Sequence, residues 1–173
     1  MGARLACSLA DRVAESVCRS LAAGGVCVEV EVLELHRPAA DLAQYCAQGR
    51  ASLDLREAIA AVVTADGLVL APPALAASPS KVFDAFFAVL GGRVRSGVLV
   101  LLVLNSGSHR QPPDLAQVMR TRLTSVHAEP VPTVVVAGPA DWQSAAGGNA
   151  GRLRAGIDRA AVEFATAMRS RRQ

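Results

Sequence analysis

The stretch Asp66-Gly-Leu-Val-Leu-Ala-Pro-Pro-Ala-Leu-Ala-Ala-Ser-Pro-Ser-Lys-Val-Phe-Asp-Ala-Phe-Phe-Ala-Val-Leu90 passes from strand to helix through one short loop. Gly67 to Ala71 is an apolar run of buried-strand length, and it breaks at Pro72-Pro73 into the small-residue loop Ala74-Leu-Ala-Ala-Ser78. Ser78 is placed to cap a helix that opens at Pro79, with Val82, Phe83, Phe86, Phe87 and Leu90 on one stripe behind it. A strand that ends in a loop feeding a helix N-terminus is how open α/β sheets build ligand crevices. Pro72 to Pro79 is therefore the first candidate site.

The same alternation runs outward in both directions. Leu5, Leu9, Val13, Val17 and Leu21 recur every four residues and predict a helix that stops at Gly24-Gly25. Val26 to Leu35 reads as a strand with one wet face, because Val28, Val30 and Val32 alternate with Glu29 and Glu31. His36 to Arg50 carries no clear period, and Ser52 then caps a helix through Val63. Val98 to Leu104 is apolar on both faces, as a central strand covered by helices requires. It ends in the polar loop Asn105-Ser-Gly-Ser-His-Arg-Gln-Pro-Pro113, the second candidate site. A helix on Leu115, Val118, Met119, Leu123 and Val126 follows, then a strand from Val131 to Ala137 and a helix on Leu153, Ile157, Ala161, Phe164 and Met168. Gly138 to Gly148 reads as a flexible excursion. The pattern predicts a single α/β domain over residues 1–173, a doubly wound parallel sheet in three layers. Such a domain ordinarily opens with a strand and a phosphate-binding loop, and this sequence opens inside the helix.

Composition narrows the function classes. A net charge of +3, with the basic residues scattered except for Arg169, Arg171 and Arg172, gives little support to a nucleic-acid partner. No apolar run is long enough to span a bilayer and no signal peptide opens the chain, so the expectation is a cytoplasmic protein without a membrane partner. Cys7, Cys18, Cys27 and Cys46 lack C-x-x-C spacing and lie away from His36, His109 and His127, so they read as small core hydrophobes and no metal site is expected. Asp141-Trp142 reads as an anchor that pins a loop onto the core.

With these elements placed, the chain resembles the NAD(P)H-dependent FMN reductases of flavodoxin-like fold, and among them the group that partners luciferase-like monooxygenases. The resemblance rests on Thr64-Ala-Asp-Gly-Leu-Val-Leu-Ala-Pro-Pro73, on Val82-Phe83 and Phe86-Phe87-Ala-Val-Leu90, and on Val131-Pro-Thr133 followed by Asp141-Trp142; Leu53-Asp-Leu-Arg56 and Val28 to Leu35 fit as well. It implies a sheet of order 2-1-3-4-5 with FMN held at three loops. The first, a phosphate loop after the opening strand, would precede the residues that Met1 to Leu5 match. The second, which in the family reads like Thr-Pro-Val-Phe-Asn-Ala-Ser-Tyr, falls on Pro72 to Pro79 and implies flavin contacts from Pro73, Ala74, Ala76 and Ser78; a proline and the serine are kept, and the asparagine and both aromatics are lost. The third, like Thr-Gly-Gly-Thr-Ala-Arg-His, falls on Asn105 to Gln111 and keeps Gly107, the Ser108 hydroxyl and Arg110 in register, with Asn105 and Ser106 beside them.

The implied cofactors are FMN and NAD(P)H, and no catalytic side chain is implied, because the flavin itself accepts the hydride. The implied role is to supply reduced flavin to a partner monooxygenase. Two alternatives stay open, a non-catalytic, degenerate flavodoxin-like subunit and an upstream start that restores the opening strand. Without a phosphate cradle the 173-residue chain is expected to bind FMN weakly. Without a central strand it is expected to associate with itself or with a related subunit, and the Val82–Leu90 stripe is a candidate contact surface.

Overall fold

The computed structural model describes residues 2–35, 37, 39–72, 81–105, 113–138, 140–141 and 148–171. In chain order they form α1 (Gly2–Ala22), α2 (Ala39–Gln48), α3 (Leu53–Thr64), β1 (Gly67–Leu70), α4 (Lys81–Leu90), β2 (Leu99–Asn105), α5 (Pro113–Ser125), β3 (Glu129–Ala137) and α6 (Gly148–Ser170). The three strands make one parallel sheet in the order β1-β2-β3, with Gly67 opposite Leu99 and Asn105 opposite Ala137.

β2 carries the core. Leu99, Leu101 and Val103 face α1 and α6, where they join Leu9, Val13, Val17, Leu21, Ile157 and Phe164. Val100, Leu102 and Leu104 face the other way, onto Leu55, Phe83, Phe86, Leu115 and Met119 of α3, α4 and α5. Strand alternation thus divides one apolar run between two helix layers, and every residue from Leu99 to Leu104 is buried. The Val82–Leu90 stripe belongs to this core. Phe83, Phe86, Phe87 and Leu90 are buried, so the expectation that the stripe is an exposed contact surface is corrected: its apolar face belongs to the core cluster shared with α2, α3, β2 and α5.

β1 starts at glycine for a packing reason. A Cβ on Gly67 would stand 2.8 Å from Cζ of Phe164 and 3.1 Å from Sδ of Met168, so any side chain there collides with α6. β3 is interrupted instead of shortened. Val100 pairs with Pro130 and Leu102 with Val134, so Val131 to Thr133 bulge opposite Leu101. The Glu163 carboxylate accepts from the Thr133 amide at 3.4 Å and from the Thr133 hydroxyl, which satisfies backbone that the bulge removes from the ladder.

Two expectations change. His36 to Arg50 contains α2, whose signals were Leu42 and Tyr45 three apart and Gly49 just past the end; Gly49 adopts φ +70 and its amide donates to the Tyr45 carbonyl at 2.8 Å. Val26 to Leu35, in contrast, forms no strand: residues 26–34 have no regular secondary structure and Leu35 lies in a turn. No backbone hydrogen bond joins residues 27–33 to any other described residue, because a strand exists only as a ladder with a neighbour and β1 pairs with β2 alone.

The cap on α3 is as expected. The Ser52 hydroxyl accepts from the Leu55 amide at 3.1 Å and donates to Asp41 Oδ2 at 2.8 Å, tying the start of α3 to α2. Replacing Ser52 with alanine is expected to cost about 1 kcal/mol of unfolding free energy, measured by urea titration, while Ser52→Asp retains the cap acceptor but sets a second carboxylate against Asp41.

Candidate functional site

Parallel strands bring their carboxyl ends to one edge of the sheet. Leu70 stands opposite Leu102 and Asn105 opposite Ala137, so the chain leaves β1, β2 and β3 side by side along that edge. Ala71 and Pro72, then Asn105, then Ala137 and Gly138 are the last described residues before each connection. The first connection leads to α4 and the second to α5, so two helix N-termini follow the two candidate loops directly. Their unsatisfied amides and the positive ends of their dipoles favour an anion along this edge. Lys81, exposed at the start of α4, adds a charge of the same sign.

Of the site residues expected from the sequence, Asn105 is described: it closes β2, half-buried, with its backbone in the ladder opposite Ala137. Pro73, Ala74, Ala76 and Ser78 lie outside the described residues, as do Ser106, Gly107, Ser108 and Arg110. The topology nonetheless fixes the anchor points of both loops on adjacent strands. The N-cap assigned to Ser78 and the anchoring role read for Trp142 also lie outside the described residues.

A third element of the edge was read from the sequence as a family mark and a loop anchor, with no role given to Asp141 itself. Asp141 Oδ2 accepts from the Gly138 amide at 2.7 Å, while the Asp141 amide donates to the Gly138 carbonyl at 3.1 Å. This closed turn caps the exit of β3 next to Asn105 and leaves Asp141 half-buried. The Gly138-Pro-Ala-Asp141 spacing was the available signal, an aspartate three residues past a glycine at a strand end.

Away from this edge, Cys7 on α1 meets Glu34, Sγ to Oε1 at 3.9 Å. Burial pushes its thiol up, and the Glu34 carboxylate adds to the shift; the expectation that the cysteines are core hydrophobes is corrected, since Cys7 and Cys18 are half-buried and Cys27 and Cys46 exposed. Among the described residues no three His, Cys, Asp or Glu side chains group as metal ligands, and no helix is long and apolar enough to cross a membrane.

A parallel sheet between two helix layers, with two loops opening on helix N-termini at its carboxyl edge, defines a nucleotide-type α/β binding protein of flavodoxin-like architecture. The particular class follows from comparison. Residues 3–143 match the family model of the NADPH-dependent FMN reductases, and the chain belongs to that family. It is similar to an oxidoreductase of Corynebacterium diphtheriae, with 29% identity over 92% of this chain and 86% of that one and a TM-score of 0.84. It shares its fold with the apo form of the NADH:FMN oxidoreductase EmoB, at 23% identity, 88% and 80% coverage and a TM-score of 0.61. No curated protein sequence matches it. FMN and NAD(P)H are the cofactor and co-substrate that family membership implies.

Proposed function

We propose that residues 1–173 act as one domain that reduces FMN with NAD(P)H and releases reduced flavin to a partner monooxygenase of the luciferase-like type. The observation that carries the reading is the carboxyl edge of the sheet, where the loops after β1 and β2 leave adjacent strands and each enters a helix N-terminus. The similar Corynebacterium protein is an oxidoreductase and the structural neighbour an NADH:FMN oxidoreductase, in keeping with this reading.

The residue types suit the group: the small residues Pro73, Ala74, Ala76 and Ser78 would let backbone approach a planar ring, and Asn105, Ser106, Gly107 and Ser108 would supply donors at its polar edge. Arg110 and the positive end of α5 would offer charge to the phosphate. When bound, the isoalloxazine is the hydride acceptor and the nicotinamide the donor. The loops after β1 and β2 would position the flavin for the nicotinamide, and their amides would stabilise negative charge on it.

The second reading kept open is the degenerate non-catalytic subunit, and the loss of the asparagine and aromatics from the Pro72 to Pro79 loop supports it. One assay separates the two. Purified protein with FMN and either NADH or NADPH is expected to oxidise the nicotinamide, read as loss of absorbance, and a rate no greater than that of the free reagents overturns the enzyme reading in favour of the subunit.

A further inference from the structure

β3 has the composition of an edge that pairs readily. Glu129-Pro-Val-Pro-Thr-Val-Val-Val-Ala137 holds four valines and a single charge, at its first residue, and its ladder to β2 uses one side of the strand. Thr133 to Val136 is uncharged and β-branched throughout, the kind of run that joins a copy of itself when its outer side is open.

The groups that a further strand would need on that outer side are already taken. The Glu129 amide donates to the Val98 carbonyl at 2.8 Å, so in the alternation of the ladder the next residue, Pro130, turns outward a nitrogen that has no hydrogen. Pro132, in the bulge, lacks a donor as well, and its carbonyl accepts from the Arg120 guanidinium of α5. The Thr133 amide and hydroxyl donate to the Glu163 carboxylate of α6. At the exit of the strand Asp141 takes the Gly138 amide. Between these contacts lie Val134 to Val136, three residues where an ordinary strand has about five or six. Arg120 and Glu163 reach the edge from opposite faces of the sheet, since α5 belongs to the layer of Leu115 and Met119 and α6 to that of Ile157 and Phe164.

We propose that Arg120 and Glu163 are edge guards: they close the outer side of β3 to a second copy of this chain, and their removal turns that side into a β3-to-β3 dimer interface. The second copy is the occupant because β3 suits itself. An antiparallel pair centred on Val135 sets Val134 against Val136 twice, and from Pro130 to Ala137 it brings no charge opposite another. In the unaltered chain any association therefore runs through another surface.

Sedimentation equilibrium at micromolar concentration and hydrogen exchange of the Thr133 amide test this. Neither flavin nor nicotinamide is present, so the outcome is separate from that of the reductase assay. The double variant Arg120→Ala, Glu163→Ala is expected to raise the weight-average mass about twofold over the unaltered protein and, when dilute, to exchange the Thr133 amide about tenfold faster or more. Arg120→Lys, Glu163→Gln keeps a donor and an acceptor in place and is expected to keep the mass and the slow exchange of the unaltered protein. Circular dichroism and thermal unfolding identify the folded variants. If the double variant does not fold, Glu163→Ala alone, which puts a strong helix former on α6, carries the same expectations at smaller amplitude. Unchanged mass in the folded alanine variant, an equal rise in the Lys/Gln variant, or Thr133 exchange indifferent to the loss of Glu163 would each overturn the proposal. So would a dimer of the unaltered protein that the alanine substitutions break, since Arg120 and Glu163 would then belong to an interface instead of closing one.

Discussion

Leu101→Ala is expected to lower the unfolding free energy by about 3–5 kcal/mol and the midpoint temperature by roughly 10 °C, the largest effect of any single truncation in the sheet. Leu101 is fully buried at the centre of β2, on the face that meets α1 and α6, and it stands opposite the bulge of β3. The lost side chain contributes its transfer free energy, and the cavity it leaves is bounded by two helices and a strand that cannot all move inward. Chemical denaturation followed by circular dichroism measures it, with Leu101→Ile as the control that keeps volume and is expected to cost less than about 1.5 kcal/mol. A loss below about 1 kcal/mol for the alanine variant would mean that the layers collapse around the site and that β2 is not the rigid centre of the fold.

Arg110→Glu is expected to reduce kcat/KM for FMN by about 100-fold or more with no change in thermal unfolding. A charge-assisted hydrogen bond to a phosphate is worth on the order of 1.5–3 kcal/mol, or roughly 10- to 150-fold, and reversing the charge adds repulsion to that loss. Arg110→Lys is expected to recover part of the affinity, because the charge returns without the planar two-pronged donor. The effect should appear in KM at saturating NAD(P)H, since phosphate binding is shared by ground and transition states. If all three proteins have the same KM, the loop after β2 does not hold the flavin phosphate and the anion site belongs to the loop entering α4 instead.

How far residues alone carry the structure depends on whether a segment's partners are local. The two-faced apolarity of Val98 to Leu104 specifies a buried central strand without reference to anything distant, and it lies between the two helix layers as expected. The same holds for the cap at Ser52, the stop at Gly24-Gly25, where Gly25 takes φ +75, and the adjacency of the ends of β1 and β2, which follows from parallel pairing. α2 was also written locally, in Leu42, Tyr45 and Gly49, but a single short stripe with one buried residue gives a weak period.

Val26 to Leu35 has the alternation of a strand in its sequence, Val28, Val30 and Val32 against Glu29 and Glu31. Whether it becomes a strand is a property of the neighbour, and in the folded chain β1 turns its ladder to β2, leaving this segment without one. The Phe83, Phe86, Phe87 and Leu90 stripe was legible as apolar, but what buries it is a cluster drawn from α2, α3, β2 and α5. The bulge at Val131 to Thr133 and its clasp by Glu163 join residues about thirty positions apart, a pairing that no local period encodes. Sequence determined here what each segment is able to form, through periodicity and caps; tertiary structure decided which of those faces and edges are satisfied, because hydrogen-bond ladders and burial exist only between segments.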